Sequence, residues 1–97
     1  MITLAVTYQC HPGKSDDVLA ALRRMGALVK QHEPNCHAYQ ISRSHDDRDR
    51  LLLYELYADQ AALDVHAQTQ HFKDIVQGEV IPMLLSRERG LYTLEIE

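Results

Sequence analysis

The run Leu51-Leu52-Leu53-Tyr54-Glu55-Leu56-Tyr57-Ala58 constrains this chain more than any other stretch. It is apolar at both parities: Leu52, Tyr54 and Leu56 fall on one side, Leu51, Leu53 and Tyr57 on the other. Successive strand residues point to opposite faces, so a strand of this kind belongs inside a sheet with neither face left to water. In a chain of 97 residues the helices can cover one face of one sheet, and the other face needs a partner. The reading is therefore that the bare face packs on a second copy of the chain, a two-fold homodimer being the commonest closed arrangement.

The remaining elements follow from period and punctuation. Residues 2–10 alternate, with Ile2, Leu4, Val6, Tyr8 and Cys10 on one side. His11-Pro12-Gly13-Lys14 reads as a turn, and Ser15 as a helix cap with Asp16 and Asp17 in the first turn. Val18, Leu22, Met25 and Val29 then form one apolar helical stripe, which Pro34-Asn35 ends. Residues 37–44 read as a second strand, His45 to Arg50 as a solvated hairpin tip, and residues 51–58 as the third strand. Asp59 caps a short helix with Ala62, Leu63, His66 and Ala67 on one face, and a break falls near Thr69-Gln70. Phe72, Ile75, Val76 and Val80 line a second helical piece, Pro82 ends it, and the last strand is placed from about Arg89 to Glu97. The order β-α-β-β-α-β is the split βαβ of the ferredoxin-like α+β fold, an antiparallel sheet with helices on one face, and it runs through residues 1–97 as a single domain.

Charge and composition remove several function classes. The net charge of −4 and the scattering of Lys and Arg among acidic neighbours argue against nucleic acid as a partner. No segment has the length or apolarity of a membrane helix, and Met1-Ile2-Thr3-Leu4 lacks the charged start of a signal peptide. Cys10 and Cys36, without metal spacing, suit a reducing compartment, hence a cytoplasmic protein. A Gly-rich phosphate loop, a G-x-S-x-G elbow and a C-x-x-C are all absent, so dinucleotide and nucleophilic chemistry have no signal and no cofactor is expected.

Several motifs are similar to those of one family. They are Pro12-Gly13-Lys14 after the first strand, and Pro34-Asn35-Cys36-His37-Ala38-Tyr39 leading into the second. Leu53-Tyr54-Glu55-Leu56-Tyr57 is followed by Asp59-Gln60-Ala61-Ala62-Leu63-Asp64-Val65-His66, and His66-Ala67-Gln68-Thr69-Gln70-His71-Phe72 completes the set. Together, over essentially the whole chain, they resemble the antibiotic biosynthesis monooxygenase family. Asn35 stands where a Gly is usual, Thr69 where Ser is common, and Trp is absent, so sites built on Trp do not carry over. The resemblance implies a dimeric α/β-barrel assembled from two ferredoxin-like sheets. It also implies a choice of activities: cofactor-free oxygenation of quinols or polycyclic phenols, small-sugar isomerisation, or binding and degradation of haem.

The residues that can carry chemistry are few. His66 shares the inward stripe of Ala62 and Leu63, and can be a general base or a packed histidine that hydrogen-bonds a strand. His71 opens the next helical piece, whose N-terminus suits an anionic substrate oxygen, and is the second candidate base. Phe72 beside it is core or pocket wall. Glu55, a charge in an apolar strand, needs a partner: His66, or an Arg of a neighbouring strand or subunit. Tyr39 and Tyr54 rank first among the strand tyrosines as pocket walls. A metal is not expected, because His66 and His71 diverge on a continuous helix and no third ligand has the right spacing. The expected function is cofactor-independent oxygenation of small electron-rich aromatics by molecular oxygen. The alternative is a dimeric binding protein or isomerase on the same fold.

Overall fold

Alternation builds the first strand as the sequence implies. In the computed structural model, which describes residues 1–97, β1 (Ile2–Cys10) buries Leu4, Val6, Tyr8 and Cys10 and leaves the intervening residues on the other face. The turn at His11–Lys14 closes with Lys14 N–H donating to the His11 carbonyl at 3.0 Å. Gly13 has φ of 79°, which an L side chain adopts only under strain. α1 (Ser15–His32) buries Val18, Ala21, Leu22, Met25 and Val29. Full burial of a Val, Leu or Met side chain is worth about 1.5–3 kcal/mol, so this stripe anchors the helix. Ser15 does not cap it: Lys14 takes the cap position, and the buried Ser15 hydroxyl instead accepts from Arg43 Nη2 at 3.2 Å.

β2 (Cys36–Arg43) and β3 (Arg50–Tyr57) form a hairpin with a bulge between Cys36 and Ala38. The charged tip between them is less free than a solvated turn. Arg43 and Arg48 converge on Asp16, and Gln9 donates to Asp47 at 3.1 Å. α2 (Gln60–Gln68) starts on Asp59, whose carboxylate accepts from Ala62 N–H at 2.9 Å, as the sequence predicts. The chain breaks at Thr69, and α3 (Phe72–Val80) follows. α3 is wound as a wide π-type helix instead of the α-helix its pattern predicts, and the five-residue step between buried Ile75 and Val80 suits that winding. Pro82 ends it in a short 3₁₀ turn, Ile81–Met83.

The last strand departs most from expectation. β4 spans Leu84–Thr93, starting five residues earlier than Arg89, and Leu94–Glu97 lie beyond it. Ser86-Arg87-Glu88-Arg89 is polar enough to read as a loop, yet an edge strand needs only one side bonded, and β1 supplies it from Cys10↔Leu84 to Ile2↔Thr93. The sheet order is β2-β3-β1-β4 with every pair antiparallel. One apolar core joins the inward residues of β1 and β3 to α1, α2 and α3. The other sheet face keeps Leu52, Tyr54 and Tyr92 at 49%, 36% and 62% exposure. No helix is long and apolar enough to cross a membrane, and both cysteines are free thiols.

Candidate active site

A cavity of about 430 Å³ opens between the helical layer and the β1–β4 end of the sheet. Its floor is built by alternation. Leu4, Val6 and Tyr8 come from β1, Glu55 lies opposite Leu4 on β3, and Tyr39 pairs with Glu55 from β2. Its roof is Leu63, His66 and Ala67 of α2 with Phe72 and Val76 of α3. The exposed rim is Gln60 and Asp64 on one side and Arg87 and Arg89 on the other. The apolar wall and buried polar floor are the ordinary make-up of a small-ligand site.

His66 lies in the last turn of α2 and is 4% exposed. Its Nδ1 meets Glu33 Oε1 at 2.8 Å, and its Nε2 lies 3.7 Å from Glu55 Oε1. Phe72 packs edge-on against the imidazole at 5.3 Å between ring centres, while Tyr57 and Tyr39 tilt against it at 5.3 and 6.1 Å. Thr69 locks the geometry from behind. Its hydroxyl donates to the His66 carbonyl at 2.9 Å and accepts from Phe72 N–H at 3.1 Å.

Glu33 is the residue the sequence reading missed. It caps the C-terminus of α1, is 6% exposed, and holds two histidines at once: His66 through Oε1 and His71 through Oε2, the latter at 2.7 Å. Burial pushes its carboxyl up, but the hydrogen bonds it receives from His66 and His71, with their charge when protonated, hold it below the usual carboxylate range. An ionised carboxylate can only accept, so His66 Nδ1–H and His71 Nε2–H are the donors. A neutral His66 in this tautomer presents Nε2 as its free basic nitrogen, on the side of the cavity-lining Glu55. A signal was available: an acid at a helix C-terminus opposes the dipole and so advertises a cationic or donor partner.

Glu55 behaves in the opposite way. Burial dominates and raises its carboxyl, with nearby Glu33 adding to the effect, against the Tyr57 hydrogen bond, the charge of His66 when protonated, and that of Arg89. Tyr57 Oη–H donates to Glu55 Oε1 at 2.6 Å. Tyr8 is pushed up to about 12 by burial and by Glu55, and burial with Glu55 also drives Tyr39 well above its usual range. Both phenols on the floor are therefore hydrogen-bond donors, not bases.

The structure brings four of the six sequence candidates together: His66, Glu55, Tyr39 and Phe72 all line the cavity. Tyr54 does not. It neighbours Glu55 on β3 and so faces the opposite side of the sheet, since adjacent strand residues cannot both point inward. His71 is not a lining residue either. It stands behind Glu33, bonded to it through Nε2, with its ring stacked on His32 at 6.0 Å. The free helix N-terminus expected at His71–Phe72 is already occupied, because Thr69 satisfies the N–H groups of Phe72 and Lys73. Arg87 was missed because it lies ahead of the strand start expected at Arg89, and Arg89 because its place opposite Val6 depends on the pairing with β1.

Residues 1–78 match the model of the family described as antibiotic biosynthesis monooxygenase. The fold superposes on the crystal structure of an antibiotic biosynthesis monooxygenase with a TM-score of 0.88, 25% identity, and coverage of 99% of this chain and 100% of that one. A Caulobacter crescentus protein superposes with a TM-score of 0.89 and 27% identity, over 97% of this chain and 90% of that one. The Synechocystis protein sll1783 is 29% identical over 86 residues, which is 89% of this chain. The chain spans 56% of that relative's length.

Proposed function

The chain belongs to the antibiotic biosynthesis monooxygenase family, and from that premise we propose that it is a cofactor-independent monooxygenase of small electron-rich aromatics with His66 as its general base. One observation carries the reading: Glu33 holds His66 Nδ1, leaving Nε2 turned toward the cavity-lining Glu55 in a cavity with apolar walls. The chemistry asks little more of the protein. Nε2 takes the hydroxyl proton of a bound quinol, and the phenolate reduces O₂ by one electron. Recombination of the two radicals forms a C–O bond, and loss of water breaks the O–O bond. One oxygen stays on the ring and the other leaves as water, so a quinol and O₂ give a hydroxyquinone and H₂O. The apolar walls of Leu4, Val6, Leu63, Phe72 and Val76 keep water from the phenolate and the radical pair. Glu33 is a positioning residue, acting through the tautomer and ring orientation of His66.

Oxygen uptake in an electrode, with chelator present and a panel of quinols, tests this. Uptake is expected to depend on protein and to fall by about tenfold or more in His66→Ala, the size lost with a general base. Uptake at the uncatalysed rate across the panel overturns the reading. It would favour a non-oxygenase binding protein or isomerase, for which the convergence of Tyr8, Tyr39 and Glu55 of the floor with His66 of the roof is the supporting observation.

A further inference from the structure

Two guanidinium groups at the cavity mouth are not used by the chemistry above. Arg87 and Arg89 sit two residues apart on β4, so both point to the cavity side, opposite Tyr8 and Val6 of β1. Arg24, Arg43, Arg48 and Arg50 each hold a carboxylate of the chain, whereas Arg23 on α1 and the two arginines of the mouth, Arg87 and Arg89, hold none. Glu88 between them pairs with Thr7 and faces the other side of the sheet. Across the mouth, the Asp64 carboxylate is engaged by Gln60 Nε2 at 3.0 Å. Both arginines line the cavity that holds Tyr8 and Glu55. The cavity mouth thus carries two arginines without a carboxylate partner against the single carboxylate of Asp64.

We propose that the substrate is a hydroxyaromatic acid, its ring between the apolar walls, its hydroxyl at His66 Nε2, and its carboxylate held at the mouth by Arg87 and Arg89. The hydroxyaromatic part rests on the function proposed above; the acidic part rests on the arginines alone. Strand residues two apart are spaced by about 7 Å, so two planar guanidinium forks can share the two oxygens of one planar carboxylate. A neutral quinol leaves both forks to water. The carboxylate also fixes which end of the ring reaches the base, a choice the smooth apolar walls cannot make.

Calorimetric titration under argon, where no turnover occurs, tests this with dihydroxyphenylacetate, its methyl ester and a hydroxyphenyl phosphate. Wild-type protein is expected to bind the acid at least about tenfold tighter than the ester. The double variant Arg87→Gln/Arg89→Gln is expected to lose that preference while binding the ester as before, and the wild-type preference should shrink as salt rises. Equal binding of acid and ester by wild type overturns the proposal, as does a preference that survives both substitutions or the absence of binding by either. A phosphate bound about tenfold tighter than the acid overturns the carboxylate assignment. The two readings fail separately: acid-selective binding without oxygen uptake sinks the oxygenase alone, and uptake on quinols without acid selectivity sinks the acid alone.

Discussion

Glu33 and Glu55 flank one imidazole, yet their surroundings push them apart. Glu33 accepts from two histidines and is held low; Glu55 is raised by its burial, which outweighs the Tyr57 hydrogen bond. Their effects on stability therefore have opposite pH dependence. A depressed carboxyl contributes stability that is fully present above its ordinary value of 4.5 and is lost as pH falls through the lower folded value. Glu33→Gln should destabilise at pH 7 by about 3 kcal/mol, the scale for breaking a buried pair. That corresponds to a melting temperature lower by more than about 10 °C for a chain of this size, with the gap closing in acid. A raised carboxyl works the other way. Its contribution is present below 4.5 and is lost as pH rises through the raised folded value. Glu55→Gln keeps an acceptor for Tyr57 and should gain on wild type in melting temperature as pH rises from 4.5 toward neutral. Thermal melts at stepped pH check both, and two gaps of the same pH slope would refute the assignment.

The junction of α2 and α3 is where an element boundary becomes a functional device. Thr69 ends one helix through its hydroxyl on the His66 carbonyl and starts the next by accepting from Phe72 N–H. One side chain thus sets the mutual placement of the proposed base and its edge-on aromatic neighbour. Thr69→Val keeps the shape and removes both hydrogen bonds. A lost cap of this kind costs about 1 kcal/mol, so the melting temperature should drop by about 4–8 °C. Thr69→Ser, which retains the hydroxyl, should restore it. A valine variant that melts like wild type would show that packing, not the hydroxyl, sets the junction.

At the scale of the molecule, the sheet has one face on the core and one with Leu52, Tyr54 and Tyr92 open. We propose that the open face pairs two copies, since an apolar patch of large side chains on a small domain marks an interface. Sedimentation at micromolar concentration should give a dimer for wild type and a monomer for Leu52→Lys/Tyr54→Lys. A monomeric wild type would leave the patch without its proposed occupant. Neither substitution touches the cavity, which lies on the opposite face, so ligand binding by the variant separates assembly from site.

Periodicity and punctuation were enough for the element order, the inward stripe of α1, the cap at Asp59, the stop at Pro82, and the inward turn of His66, because each depends on residues near one another in sequence. They also sufficed for Glu55 as a buried charge in need of a partner. They were not enough for β4, whose polar first half becomes strand only because the edge of β1 offers a ladder. Nor were they enough for the site's charge plan. Glu33 and His66 are 33 residues apart and meet only when α1 and α2 pack on the same sheet face. Arg87 and Arg89 reach the cavity only when β4 lies beside β1. Local sequence sets which face a side chain takes within its own element; which faces then confront one another is decided by strand order and register, and those belong to the folded whole.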